Sequence, residues 1–111
     1  MWETIRTYPQ YEIYSEHPHP IRDKKDGCIL GESIDAYGYV CVRLYDCFYA
    51  WKQRLIAQTF IPQKFLQVES KPRDWVDHID GDVKDNRLTN LRWIEDPRVW
   101  VGDGRLIDMR D

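Results

Sequence analysis

VDHIDGDVKDNRLTNLRW, residues 76–93, sets one histidine, four aspartates and two asparagines within eighteen positions. Two readings compete for it: an acid-rich turn joining two strands, or a metal-dependent active site. VDHI (76–79) and LRWI (91–94) carry apolar punctuation at both ends of the polar run GDVKDNRLTN. This pattern predicts two short strands with an irregular loop between them. Hydrolysis of a phosphodiester needs a water, a base to take its proton and a cation to steady charge on the phosphate. An imidazole near its ordinary pKa suits the base role, which falls to His78. A hard divalent cation takes oxygen ligands, carboxylate first, which points to Asp77. Neighbours in a regular strand face opposite ways, so Asp77 and His78 share a site only if the strand ends or twists there. Gly81 just beyond allows that. Asn90 opens the second strand, and its amide is suited to hold the loop shut and orient the imidazole. Asp80, Asp82 and Asp85 read as turn formers, because more carboxylates would repel a phosphate.

Outward from this stretch the chain alternates between strand and turn signals. YPQYEIYS (8–15) predicts a short strand after a Pro turn, HPHP (17–20) a loop, and RDKKDG (22–27) an exposed turn ending at Gly27. YGYVCVRLY (37–45) alternates, with Tyr39, Cys41 and Arg43 on one side and Val40, Val42 and Leu44 on the other. DCFYA (46–50) reads as a turn and partner strand. WKQRLIAQTF (51–60) then changes to helical spacing: Trp51, Leu55, Ile56 and Phe60 share a face, with Lys52, Gln53 and Arg54 on the polar side. Pro62 ends that helix. Residues 63–74 read as a polar connection. Asp96 and Pro97 make an N-cap and first-turn pair, predicting a helix that Gly102 and Gly104 limit to barely two turns. Trp51, Phe60, Trp75 and Trp93 read as core. His17 and His19, flanked by prolines, read as loop residues before they read as metal ligands.

The 111 residues are 42% hydrophobic and 32% charged, with five Trp and seven Tyr. This composition excludes a disordered chain and suits one compact domain over 1–111, made of a β/α part (1–62) and a ββα part (74–104). Three cysteines without a C-x-x-C pair exclude a zinc knuckle and a disulfide scaffold. No apolar run approaches the roughly 20 residues that span a bilayer. The expectation is a soluble, cytoplasmic protein without a membrane partner. Net charge is −3, and nucleic-acid binders usually carry a basic surplus. DNA binding would therefore need a local basic face, for which Arg43, Lys52, Arg54, Arg87 and Arg92 are the candidates.

The D-H-x-D-G…N-R-L-x-N-L-R-W string resembles the first half of the HNH motif of phage and intron homing endonucleases. WETIRTYPQYEIYSEHPHPIR is similar to the NUMOD-type opening that precedes HNH in such proteins, and YGYVCVRLY with RLIAQTFIP resembles the middle of the same module. The likeness covers roughly residues 2–94. It implies an α+β fold: a small antiparallel β part and a helix, followed by a ββα-metal finger with a short last helix. It also implies a nuclease acting on double-stranded DNA in a bacterial or phage-infected cell, with one divalent ion, Mg²⁺ or Mn²⁺. In that scheme Asp77 is the metal-binding carboxylate, His78 the general base and Asn90 the asparagine that positions it. Asp80, Gly81, Asn86, Arg87 and Leu88 match the loop, Asn86 and Arg87 being structural or phosphate-facing.

The chain departs from the family's pattern in two places. The last motif ligand, a His or Asn, would fall at Val99, which cannot hold a metal; Asp96 or Asp103 would have to substitute. The His expected before the helix is replaced by Gln53. The same sequence therefore supports an alternative: a catalytically impaired HNH scaffold that binds a host or phage protein, as an inhibitor of a nucleic-acid enzyme, or binds DNA without cutting it.

Overall fold

In a computed structural model the described residues are 1–44, 48–62, 74–100 and 106–108, the last three and 98–100 by backbone only. Three short antiparallel strands open the chain: β1 (Trp2–Thr4), β2 (Tyr11–Tyr14) and β3 (Ile21–Asp23), in the order β1-β2-β3. In β2 the expected alternation holds, since Tyr11 and Ile13 are buried and Glu12 and Tyr14 only half-buried. A second sheet follows in the order β4-β5-β6, from β4 (Glu32–Ile34), β5 (Val40–Arg43) and β6 (Tyr49–Trp51). The turn expected at 46–47 lies outside the described residues. Central β5 buries Val40, Cys41 and Val42 in succession and exposes only Arg43. A middle strand covered on both faces reads as a continuous apolar run and not as an alternation.

Helix α1 (Lys52–Phe60) starts directly from β6 without a side-chain cap. It stops at Ile61, whose φ of −113° and ψ of 111° are extended. Pro62 is the cause, because a proline ring clashes with an α-helical residue before it. Leu55, Ile56 and Ala57 are fully buried. Lys52 and Gln53, expected on the polar side, are also buried. The helix packs against β5, β6 and strands β7 and β8 described next, so more than one of its faces is covered.

Strands β7 (Trp75–His78) and β8 (Leu91–Ile94) pair antiparallel, with Trp75 opposite Ile94, Val76 opposite Trp93, Asp77 opposite Arg92 and His78 opposite Leu91. All four residues of β7 are buried. Leu88–Asn90 make one 3₁₀ turn just before β8. The short last helix expected after Asp96–Pro97 is replaced by a strand: Arg98–Trp100 form β9, paired antiparallel with β10 (Leu106–Asp108). The cap signal at Asp96–Pro97 was overridden by strand pairing of the β-prone Val99 and Trp100 with Leu106 and Ile107. One apolar cluster joins the sheets: Ile5, Ile13 and Ile21 from the first, Val42 from the second, Leu55 and Ile56 from α1, Val76 and Leu91 from β7 and β8. The β7–β8 unit, which carries the residues of the opening stretch, is thus rooted in the common core.

Candidate active site

The loop between β7 and β8 is built from its own aspartates. Asp80 Oδ1 accepts the Asp82 backbone N–H at 2.8 Å, Asp82 Oδ1 that of Lys84 at 3.0 Å, and Asp85 Oδ1 that of Arg87 at 3.3 Å. Each is a side chain closing a turn over its own backbone two residues on. Gly81 has φ +80°, a left-handed conformation that glycine adopts without cost. The donors from Asp82 and Asn90 hold the Asp80 carboxyl below its ordinary pKa.

Asn90 closes the loop from the other side. Its Oδ1 accepts the Asp80 N–H at 3.1 Å, and its Nδ2 donates to Asp80 Oδ1 at 2.9 Å and to the Asp85 carbonyl at 2.8 Å. These bonds use its amide on the loop. The contact expected from it to the imidazole is made by Asn86 instead: Asn86 Oδ1 lies 2.6 Å from His78 Nε2. Because an amide oxygen only accepts, His78 Nε2 carries the proton and Nδ1 is left with its lone pair. His78 is 3% exposed, and among the described residues its Nδ1 meets no hydrogen-bond partner. A buried nitrogen without a partner costs about 1–3 kcal/mol, so each such group in a folded protein calls for an explanation, a catalytic role among them. The Tyr39 ring lies over the imidazole, with centroids 6.1 Å apart and planes 23° apart.

Asp77 sits on the other side of the strand. The ladder continues through His78, so the two side chains leave β7 on opposite faces, Asp77 beside Arg92 and His78 beside Leu91. Arg92 Nε donates to Asp77 Oδ2 at 2.9 Å, with the arginine side chain 57% and the aspartate 11% exposed. No group of three His, Cys, Asp or Glu side chains among the described residues is arranged to hold a metal ion. Of the substitute ligands, Asp96 lies half-buried between β8 and β9, and Asp103 lies outside the described residues. A magnesium-like cation bound at a nucleic acid needs one or two carboxylates, with phosphate oxygens and waters completing its shell. Asp77 offers a single carboxylate toward that requirement, and Arg92 already holds it at 2.9 Å.

The expected basic face is divided. Arg43, Arg87 and Arg92 are exposed, and Arg54 is half-buried with its Nη1 donating to the Asp74 carbonyl at 2.9 Å. Lys52 does not belong to it, being 4% exposed with its Nζ donating to the Pro18 carbonyl at 2.7 Å and to Glu32. His19 is also buried: its Nδ1 donates to the Tyr14 carbonyl at 2.9 Å, and burial pushes its pKa below the ordinary value.

Antiparallel strands, one helix among the described residues and a β-loop-β unit with an Asp-His step define a small α+β protein similar in fold to an HNH endonuclease. No protein-family model matches the chain, and no curated protein matches it. Among solved structures, the fold is similar to the HNH homing endonuclease I-HmuI, described with its DNA binding and cleavage. The TM-score is 0.64 with 25% sequence identity over 86% of this chain. The chain spans about half (52%) of that structure's own chain.

Proposed function

We propose that the chain is an HNH-type nuclease unit that binds double-stranded DNA and hydrolyses a phosphodiester bond, with His78 as general base. The observation that supports it best is the state of the imidazole. Asn86 holds the proton on Nε2, so Nδ1 offers a lone pair in a buried setting with no other partner among the described residues. The likeness to a DNA-cleaving endonuclease over most of the chain supports the same reading.

In this reading His78 Nδ1 takes a proton from water as the water oxygen attaches to phosphorus and the bond to the leaving ribose oxygen breaks. The resulting imidazolium keeps its Nε2–H on Asn86. Asn90 keeps the loop closed beneath the base. Asp77 would hold a divalent cation, Mg²⁺ or Mn²⁺, supplying positive charge against the phosphate; because Asp77 and His78 leave β7 on opposite faces, the two would meet one phosphate only if β7 twisted at its end on binding DNA. Arg92, exposed beside Asp77, is placed to exchange that carboxylate for a phosphate oxygen, and Arg43, Arg54 and Arg87 would contact the backbone. One such unit acts on one strand, so the product is a nick, made inside a bacterial or phage-infected cell. Purified protein is expected to nick supercoiled plasmid with Mg²⁺ or Mn²⁺, and His78→Ala to abolish it. Absence of nicking by the wild type with Mg²⁺, Mn²⁺ and Ni²⁺ would remove the reading.

A second reading is favoured by two observations: the Arg92–Asp77 ion pair and the strand at the place of the last helix. Both suit an HNH scaffold that binds a host or phage protein, or DNA, without cutting. Affinity for a DNA duplex against salt separates the cases. A cutter loses affinity steeply as salt rises, and a protein-binding inhibitor has little DNA affinity at any salt.

A further inference from the structure

We propose that Tyr39 and Asp35 are positioning residues for the His78 imidazole; the inference rests on the base role assigned to His78 above. A single hydrogen bond at Nε2 fixes one edge of the ring but leaves it room to rock about the Cβ–Cγ bond, an axis that passes close to Nε2. A flat neighbour over the face removes that freedom. Tyr39, 9% exposed, supplies it with the near-parallel contact to His78.

What holds Tyr39 in place is one carboxylate. Asp35 Oδ1 accepts the backbone N–H of Tyr37 at 2.9 Å and of Tyr39 at 3.0 Å. Asp35 Oδ2 accepts Trp51 Nε1–H at 2.9 Å and the Cys41 thiol at 3.7 Å. The backbone closes the same turn, with Asp35 N–H donating to the Tyr39 carbonyl at 3.0 Å and Gly38 N–H to the Asp35 carbonyl at 3.1 Å. The tip of the β4–β5 hairpin is therefore fixed from inside.

A second route reaches the imidazole from the same carboxylate. Trp51, held by Asp35, packs on Tyr39 with centroids 5.0 Å apart and stands edge-on to Trp75 at 5.4 Å. Trp75 opens the strand that His78 ends. Gly38 adds a third tie: a Cβ there would lie 3.4 Å from Val83 Cγ2, so the hairpin tip rests on the β7–β8 loop. Tyr39 and the loop that carries Asn86 are thus referred to one hairpin. Neither Asp35 nor Tyr39 touches the reacting atoms; both act through the ring of His78.

The test uses full-length Tyr39→Leu, Tyr39→Phe and Asp35→Asn, each checked for folding by circular dichroism. The ¹⁵N signals of the His78 ring are followed over pH, and plasmid nicking is resolved into kcat and KM. Tyr39→Leu keeps apolar volume but loses the flat face. It is expected to mix the two His78 tautomers and to lower kcat about tenfold or more at unchanged KM, given that misplacement of about 1 Å can cost about 10²-fold. Tyr39→Phe should restore wild-type signals and rate, and Asp35→Asn should resemble Tyr39→Leu in milder form. Folded Tyr39→Leu with wild-type ring signals overturns the proposal. If Tyr39→Leu does not fold, Trp51→Phe, which removes the donor to Asp35 and part of the ring packed on Tyr39, decides by the same signals. A wild type that does not nick ends the base role of His78, while the ring signals still decide whether Tyr39 and Asp35 fix the imidazole.

Discussion

Replacing Asn86 with alanine separates the imidazole's orientation from the loop's integrity. Asn86 and His78 are 7% and 3% exposed and joined at 2.6 Å. Without the amide oxygen, the buried Nε2–H loses its acceptor, at a cost of about 1–3 kcal/mol. For a chain of this size each kcal/mol moves the melting temperature by about 4–6 °C, so the midpoint should fall by about 8–12 °C for the central value of the range. The same bond biases the ring toward the Nε2–H tautomer. A net advantage of about 1.4 kcal/mol is a tenfold preference, so about nine-tenths of the molecules carry a free Nδ1 lone pair. In N86A that fraction should fall toward the preference of a free imidazole, because neither ring nitrogen then has a described partner. Melting by circular dichroism and long-range ¹⁵N correlation of the His78 ring measure the two effects. A midpoint within about 2 °C of wild type, with His78 still a single Nε2–H tautomer, would refute the assignment of Asn86 as the residue that sets the ring's state.

Asn90→Ala removes three bonds, to the Asp80 N–H, the Asp80 carboxylate and the Asp85 carbonyl, and should destabilise the protein by about 3 kcal/mol, at about 1 kcal/mol per bond, read in urea unfolding. It should leave the His78 tautomer intact. His19 gives a pH signature: burial depresses its pKa in the folded chain, so the unfolded chain binds the proton first as pH falls below 6.5. Stability is therefore complete above that value and should decline below it, a slope that H19N flattens in urea titrations at pH 7.5 and 5.5. Lys52→Ala should cost about 1–3 kcal/mol through the groups it leaves unpaired without changing the salt dependence of DNA affinity. Arg43→Ala should reduce that slope by about one in fluorescence anisotropy.

What could be read from the residues divides along physical lines. β7, β8 and α1 were legible because their signals are local: apolar punctuation around a polar loop, and a 3.6 period stopped by Pro62. The aspartates at 80, 82 and 85 were legible as turn formers for the same reason. The burial of Lys52 and Gln53 was not, since a helical period names one apolar face and cannot report that strands cover others. The helix expected after Asp96–Pro97 failed because a cap pair contributes only about 1 kcal/mol, and so few residues precede Gly102 that a helix there could scarcely outlast its nucleation cost. Asn86 and Asn90 lie four residues apart in one loop, and nothing in the sequence says which faces the ring. Asp35 did carry a signal, an aspartate three residues before Gly38 in a turn pattern, but its reach to Trp51 depends on the sheet.

Strand β7 is fully buried and ends at the imidazole, so its four residues serve the protein's cohesion and its chemistry at once. A smaller residue at Trp75, or one of another size at Val76, would disturb the packing of the strand that carries the ring. Drift toward a tighter interior is therefore penalised there. Engineering for heat resistance should leave β7 alone, and any repacking of Ile5, Ile13 and Ile21 has to respect Val76 and Leu91, which share their cluster.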